Sequence, residues 1–175
     1  MQAKDEIAMQ VAERRANVEK SMRLYQRAME KDKESDYERK MELLTEAVAS
    51  DDRNVYAHMA LGIAWHENGD VFRAASAFYR ASRLAPNRYE PHYNLGIVLE
   101  SAGQYGKAID AYETALELAP GQVEVMENLA RCQIRSNVQT ERTGEFVNHV
   151  LQSEVRPEWR MWLTQQMHSS KCKKE

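Results

Sequence analysis

Apolar residues recur along this chain with helical spacing and, in its middle, with a repeat of 34 residues. Over residues 4–31 no helix breaker interrupts an apolar series, which predicts one helix about 40 Å long at 1.5 Å per residue. Further along, whole helices return in register, and a fixed period of this length predicts a solenoid of helical hairpins. The pairs that share the offset include Leu61 and Leu95, Gly62 and Gly96, Ala74 and Ala108, Ala77 and Ala111, Ala81 and Ala115, Leu84 and Leu118.

Glycine and proline divide each repeating unit into two helices. Residues 55–68 form the first predicted helix, which ends at Gly69, a residue that readily adopts the left-handed conformation past a helix end. Residues 71–84 form the second, which ends ahead of Pro86; residues 89–102 and 105–118 repeat the plan. Gly62 lies inside a helix, where glycine costs about 1 kcal/mol relative to alanine. We expect close packing of the two helix backbones at Gly62 and Ala74 to offset that cost.

This pattern resembles the tetratricopeptide repeat (TPR) family over residues 55–122. The resemblance uses Leu-Gly at 61–62 and 95–96, alanines at 74, 81, 108 and 115, aromatic residues at 78 and 112, and prolines at 86 and 120. His58 and His92 stand where the family often has Trp. The resemblance implies an all-α, right-handed α-solenoid of helix-turn-helix repeats with no catalytic role, used as an adaptor, scaffold or assembly factor.

The same register extends in both directions with weaker matches. Residues 21–54 are predicted as a degenerate repeat with helices near 21–33 and 36–49, and residues 123–156 as another with helices near 123–135 and 140–153. The segment 55–88 and the segment 89–122 are the two clear repeats. Residues 157–168 predict a capping helix with Trp159, Trp162, Leu163 and Met167 on one face, and residues 169–175 a flexible tail.

The N-terminal extension, residues 1–20, carries a narrow apolar stripe that includes Ile7, Val11 and Val18. Three interpretations remain open from the sequence. The extension is an extended capping helix, or an overhang that pairs with another protomer or lies in a neighbour's groove, or a frayed tether of a longer precursor.

Composition narrows the functional classes. Of 175 residues, 43% are hydrophobic and the formal net charge is −3, which disfavours nucleic-acid binding because a phosphate backbone needs a basic face. No apolar run reaches the roughly 20 residues of a membrane span. The start QAKDE lacks a signal core, so a cytoplasmic location is expected, with a removed signal or lipid anchor left open. Cys132 is expected to be buried and Cys172 free.

No catalytic, metal or cofactor constellation stands out. His66 and Glu67 begin like a zinc-binding helix motif, but Asp70 occupies the position where the second histidine would be needed. The carboxylates fall on helix faces without acid–base spacing, and His58 and His92 are expected to be structural. We therefore expect no enzyme activity, no metal and no cofactor.

The resemblance implies that the first helix of each unit lines the concave side of the superhelix. The floor of that groove is predicted to be aromatic and aliphatic and its rim acidic, which favours an apolar partner segment carrying Lys or Arg. The predicted groove residues are Tyr25, Tyr56, Met59, Ile63, Glu67, Glu90, Tyr93, Ile97, Glu100, Glu124 and Glu127.

One TPR subclass grips the C-terminal carboxylate of chaperones with two Lys, one Arg and two Asn. The corresponding positions here, in one register, are Tyr25, Met29, Ala60, Glu90 and Asn94. Shifted by one unit they are Met59, Ile63, Asn94, Glu124 and Asn128. Neither register supplies a basic residue, so no chaperone-tail clamp is expected. The alternative function is a self-assembling structural protein, a homo-oligomer that uses the N-terminal helix as its contact.

Overall fold

A computed structural model describes residues 2–30, 36–138, 140–152 and 157–171 of the protein. Within these ranges the chain forms nine α-helices and no strand. The helices are α1 (Gln2–Met29), α2 (Tyr37–Ser50), α3 (Val55–Glu67), α4 (Val71–Leu84), α5 (Tyr89–Ser101), α6 (Tyr105–Leu118), α7 (Val123–Arg135), α8 (Glu141–Gln152) and α9 (Pro157–Lys171).

Consecutive helices pack in pairs, α1 with α2, α3 with α4, α5 with α6, and α7 with α8. Each pair packs on the next through α2–α3, α4–α5 and α6–α7, and the first helices of neighbouring pairs also touch, α1 with α3 and α5 with α7. This arrangement is an all-α solenoid of stacked hairpins, as the 34-residue period predicts.

A left-handed residue ends the first helix of three successive hairpins. Gly69 has φ 78° and Gly103 has φ 71°, and both confirm the predicted role of glycine. At the first of them, the backbone N–H of Gly69 donates to the His66 carbonyl (3.0 Å) and that of Asp70 to the Trp65 carbonyl (2.8 Å), the bonding pattern of a Schellman cap. The next position in the period is Asn137 with φ 58°. The turn geometry therefore continues into the last hairpin without a glycine.

The mid-helix glycines make room for an aromatic ring of the paired helix. A Cβ placed on Gly62 would lie 2.7 Å from Cε1 of Phe78, and one on Gly96 would lie 2.5 Å from Cε1 of Tyr112. Both rings are buried, Phe78 at 2% exposed and Tyr112 at 0%. The expected close approach of helix backbones is therefore corrected, because the atoms against each glycine belong to the ring. The ring fills the space that a methyl group would occupy.

A buried polar cluster fixes α1 to the rest of the chain. The fully buried Ser21 hydroxyl donates to the Ala47 carbonyl at 2.7 Å and accepts from Nδ2 of Asn54 at 2.8 Å. Asn54 also caps α3, since its side-chain oxygen accepts from the Ala57 backbone N–H at 3.1 Å. One and two turns further along α1, Leu24 and Ala28 enter the core with Leu43 and Leu44. Packing of α1 therefore begins at residue 21.

The N-terminal half of α1 contributes no side chain to the core that the described residues form. Residues 4–20 are all exposed, and Lys20 makes a surface ion pair with Glu46 (2.9 Å). Ile7 is 61% exposed and Val11 47%. The continuous helix agrees with the sequence prediction, but this exposure does not fit the interpretation as a capping helix.

The C-terminal end of the solenoid is covered by α9. Trp159 and Leu163 are buried and join the core cluster of α6 and α7, and Trp162 packs at its edge. The helix continues to Lys171, past the predicted end at residue 168. The side chain of Met167 and the residues 172–175, with Cys172, lie outside the described residues.

Replacing Gly96 by alanine should destabilise the protein by about 1–3 kcal/mol, because the added methyl group collides with a ring that has no room to move. The matched control is Gly106→Ala, where a Cβ meets nothing within 4 Å and better helix propensity should hold stability at or above wild type. Urea unfolding of both variants measures the difference. Equal stability of the two variants would contradict the glycine–ring contact.

Candidate functional site

The predicted groove residues belong to α1, α3, α5 and α7 and to no second helix of a hairpin. We call this set the inner strip: Tyr25, Tyr56, Met59, Ile63, Glu67, Glu90, Tyr93, Ile97, Glu100, Glu124 and Glu127. Contacts between successive first helices connect parts of it. The Tyr25 and Tyr56 rings lie 5.9 Å apart, and Asn128 of α7 donates to the Tyr93 hydroxyl at 2.9 Å.

The aromatic part of the inner strip spans α1, α3 and the start of α5. The Arg88 guanidinium lies 5.3 Å from the centre of the Tyr56 ring, a distance at which a cation is attracted to the ring face. Its Nη2 also donates to Oε1 of Glu90 at 2.9 Å. That hydrogen bond lowers the pKa of Glu90, against the opposing effect of burial. Tyr56 is nevertheless 47% exposed, so part of it remains open to a ligand.

The aliphatic residues of the inner strip divide between the core and the surface. Met59 packs against the cluster that contains Phe78, and Ile97 and Tyr93 pack against the cluster of α6 and α7. Ile63 is 43% exposed, one turn from Glu67 on the same face of α3. Tyr56, Ile63 and Glu67 are therefore accessible members of the strip.

Glu100 is the centre of a buried polar cluster on α5, α6 and α7. Nε and Nη2 of Arg131 donate to its two carboxylate oxygens at 3.1 Å each, a bidentate geometry. Nη1 of Arg135 donates at 3.3 Å and the Tyr112 hydroxyl at 3.0 Å. The carboxylate is saturated by protein donors and is 6% exposed.

The environment of Glu100 fixes its ionisation. Burial alone would raise the pKa of this carboxyl, but the hydrogen bonds and charge of Arg131, with the hydrogen bonds of Tyr112 and Arg135, outweigh burial and lower the pKa below its usual value. Burial and the nearby Glu100 charge raise the pKa of Tyr112 well above its ordinary range. The folded state therefore holds an ionised glutamate beside a neutral tyrosine.

The structure corrects the predicted acidic rim. Glu100 and Glu127 are buried, at 6% and 3% exposed, and Glu90 is paired with Arg88. Glu67 and Glu124 are exposed. Part of the rim is therefore neutralised, and the exposed acidic charge is concentrated on α3 and α7.

Sequence reasoning missed Arg88, which bridges Tyr56 and Glu90. It occupies the N-cap position of α5, and the helical pattern that selected the strip residues does not extend to a loop. A signal was present, because Arg88 and Glu90 carry opposite charges two residues apart and Tyr56 begins the preceding first helix. Only stacking of the two hairpins shows that these three side chains meet.

The histidines and Cys132 have structural surroundings. Nε2 of His58 donates to the Asp52 carbonyl at 2.9 Å, and burial lowers the pKa of His92 despite a hydrogen bond to the Pro86 backbone. Burial raises the pKa of Cys132 to about 11, and its Sγ lies 3.7 Å from the Tyr105 carbonyl oxygen. In the described part of the chain, no three His, Cys, Asp or Glu residues cluster as metal ligands would. Of the described helices, none is both long and apolar enough to cross a bilayer.

Comparisons with known proteins agree with this architecture. Two family models, each described as tetratricopeptide repeat, match residues 25–89 and 89–122. A search among curated proteins found no match.

Similar solved structures include "MamA 41-end from Desulfovibrio magneticus RS-1", with 19% identity, TM-score 0.68, 77% of this chain covered and 75% of that chain. The "First TPR of Spaghetti (RPAP3) bound to HSP90 peptide SRMEEVD" has 18% identity and TM-score 0.65, with 69% and 95% covered. A crystal structure of MamA has 25% identity and TM-score 0.65, with 74% of each chain covered.

Replacing Glu100 by glutamine should lower the free energy of unfolding at pH 7 by about 2 kcal/mol, since two arginines lose their charged partner. A depressed carboxyl pKa contributes stability that is fully present above the ordinary value of 4.5 and lost as the pH falls through the folded-state value. The gap between wild type and Glu100→Gln should therefore shrink below about pH 4.5. Urea unfolding at pH 7 and pH 3.5 measures it. The exposed Glu113→Gln change is the control, and an equal loss in both variants would refute the cluster's role.

Proposed function

This chain belongs to the tetratricopeptide repeat family and is a protein-interaction scaffold module, and we propose that its inner strip binds a segment of a partner protein. The observation that carries the proposal is the exposure of Tyr56 and Ile63, at 47% and 43%. A ligand that covers these two large side chains removes their apolar surface from water, and this favours binding. Arg88 holds the Tyr56 ring from one side, so the ring is already oriented before a partner arrives.

The exposed charge of the inner strip selects the partner's chemistry. Glu67 is exposed one helical turn beyond Ile63, and Glu124 is exposed at the start of α7. A suitable segment places an apolar side chain over Ile63 and a Lys or Arg beside Glu67, where it forms an apolar contact and an ion pair. A short segment of this kind buries a modest area, so its dissociation constant should be on the order of micromolar.

A free C-terminal carboxylate is a poor ligand for this strip. In one register the positions that would clamp it hold Tyr25, Met29, Ala60, Glu90 and Asn94, none of them basic. The nearby Arg131 and Arg135 already donate to Glu100. One similar structure was determined with the HSP90 peptide SRMEEVD, and that peptide serves here as a negative probe.

A second candidate function is self-assembly through the free half of α1. Its support is the exposure of residues 4–20, among which Ile7, Val11 and Val18 are 61%, 47% and 43% exposed and belong to none of the core clusters of the described residues. Two such helices laid against each other would bury both apolar stripes. This role is compatible with partner binding at the inner strip.

Variants of the inner strip test the proposed binding. Partners are captured with the wild-type protein from its native cell, identified by mass spectrometry and titrated as purified proteins by calorimetry. Tyr56→Ala and Ile63→Asp should each weaken binding at least tenfold, because both remove apolar contact at an exposed site. Met161→Asp, a change of similar size at a residue of α9 that is 67% exposed, should leave affinity unchanged, and SRMEEVD should not bind. A partner that binds all three variants equally would exclude the inner strip as its site.

Charge placed in the apolar stripe of α1 tests self-assembly. The double variant Ile7→Glu/Val11→Glu should be monomeric under conditions where the wild type is oligomeric, measured by light scattering after size exclusion. Met9→Glu is the matched control, since Met9 is 66% exposed and lies about 200° around the helix from Ile7. A wild type that stays monomeric at high concentration removes this function.

A further inference from the structure

Two exposed aromatic residues on α4 belong to none of the core clusters of the described residues. Phe72 is 83% exposed and Tyr79 59%, whereas the buried side of α4 is formed by Ala74, Ala77, Phe78 and Ala81. The positions 34 residues before and after Phe72 hold Glu38 and Gly106, and those around Tyr79 hold Thr45 and Glu113. The repeat therefore tolerates polar or small residues at both places. The aromatic pair is particular to this one hairpin.

The pair forms a stripe along one side of α4. Seven residues make about two helical turns, so Phe72 and Tyr79 point the same way about 10 Å apart. Arg83 continues the stripe one turn beyond Tyr79. This stripe borders a groove of about 900 Å³ between α4, α5 and α6, which we call the outer groove.

The outer groove has an apolar floor and helical walls. Leu95, Leu99 and His92 of α5 form the floor, and Tyr79 and Ala111 stand on the walls. On α5 the mean direction of these floor residues lies about 160° from that of Glu90, Tyr93 and Ile97 of the inner strip, given 100° per residue. The outer groove and the inner strip are therefore on opposite sides of the molecule.

The groove is large enough for side chains of a partner helix, since ligand sites typically enclose about 300–1,000 Å³. Over Leu95 and Leu99 an extended peptide would find no hydrogen-bond partner for its backbone N–H and C=O groups, which carries a desolvation cost. A helix satisfies these groups internally and offers apolar side chains on one face. The leucine part of the floor therefore favours a helical ligand.

The formal charge of the residues that line the outer groove differs from that of a second groove, which lies one hairpin earlier between α2 and α4. Arg83, Lys107 and Asp110 line the outer groove, for a formal charge of +1, and Arg83 makes no ion pair within the described ranges. The equivalent groove between α2 and α4 is lined by Glu38, Glu42, Glu46, Asp70 and Arg73. That set has a formal charge of −3. A ligand with carboxylates is attracted to the outer groove and repelled by the groove between α2 and α4.

We propose that the outer groove binds an amphipathic helix of a partner protein. Its apolar side chains, spaced i, i+4 and i+7, lie against Leu95, Leu99 and Tyr79, and its flanking carboxylates face Arg83 and Lys107. Phe72 does not line the groove, but it lies two turns from Tyr79 on the same side of α4, where a longer helix would cover it. A second, acidic and helical partner is thereby held on the side of the molecule opposite the inner strip.

The experiment uses the full chain and a defined probe, a display library of 16-residue peptides patterned as amphipathic helices with random charged flanks. The library is sorted on wild-type protein and counter-selected on Phe72→Glu/Tyr79→Thr, which carries the residues that the preceding repeat has at these places. Circular dichroism checks that the double variant keeps its fold. Enriched peptides should carry Asp or Glu in their flanks and bind wild type at least tenfold tighter than the double variant.

Two further variants separate charge from shape. Arg83→Glu/Lys107→Glu should reverse the preference and select peptides with Lys or Arg flanks, whereas the inner-strip variant Tyr56→Ala should bind the enriched peptides as wild type does. Absence of enrichment, enrichment of basic peptides on wild type, or equal binding to the double variant would each overturn the proposal. A concentration-dependent dimer that Phe72→Glu/Tyr79→Thr abolishes would also overturn it, in favour of a second copy of this chain as the occupant.

Discussion

The contact between a mid-helix glycine and a buried aromatic ring is the constraint on which the hairpins of this protein depend. Phe78 sits against Gly62, and Tyr112 sits against Gly96, in two successive hairpins with the same geometry. A side chain on either glycine would displace a ring that is almost fully buried. Because the ring lies between the two helices, it sets how closely they pack, and the stacking of neighbouring hairpins follows from that spacing.

In the second of these hairpins, the aromatic residue of the glycine–ring contact also forms a hydrogen bond with a residue of the inner strip. The Tyr112 ring that lies on Gly96 carries a hydroxyl, and this hydroxyl donates to Glu100. Phe78 cannot make such a bond, so the corresponding site of the preceding hairpin lacks it. Glu100 in turn receives Arg131 and Arg135 from the next hairpin. Where one hairpin has Phe78, the next has Tyr112, and the added hydroxyl belongs to the polar cluster that connects α5, α6 and α7.

The two sides of the solenoid have different physical characters. The inner strip exposes Tyr56, Ile63 and Glu67, with Arg88 and Glu90 beside them, while the outer groove exposes Tyr79 and two basic residues above a leucine floor. A ligand on one side does not obstruct the other, since α5 contributes opposite faces to each. The two proposed binding surfaces and the exposed residues 4–20 of α1 are therefore three separate parts of the molecule.

The sequence by itself determined the hairpins. Their helices and turns depend on spacing within one unit, so the 34-residue period located α3 to α6 within one residue and placed Gly69 and Gly103 in the left-handed region. The contact of each mid-helix glycine with an aromatic ring came only from the structure. Only the tertiary structure decided which side chains remain accessible. Glu100 and Glu124 look alike in the sequence, yet one is buried between two arginines and the other is exposed. The physical reason is distance along the chain. Glu100 and Arg131 are 31 positions apart, and such residues meet only when separate hairpins stack, whereas the helical pattern reports on neighbours a few positions away.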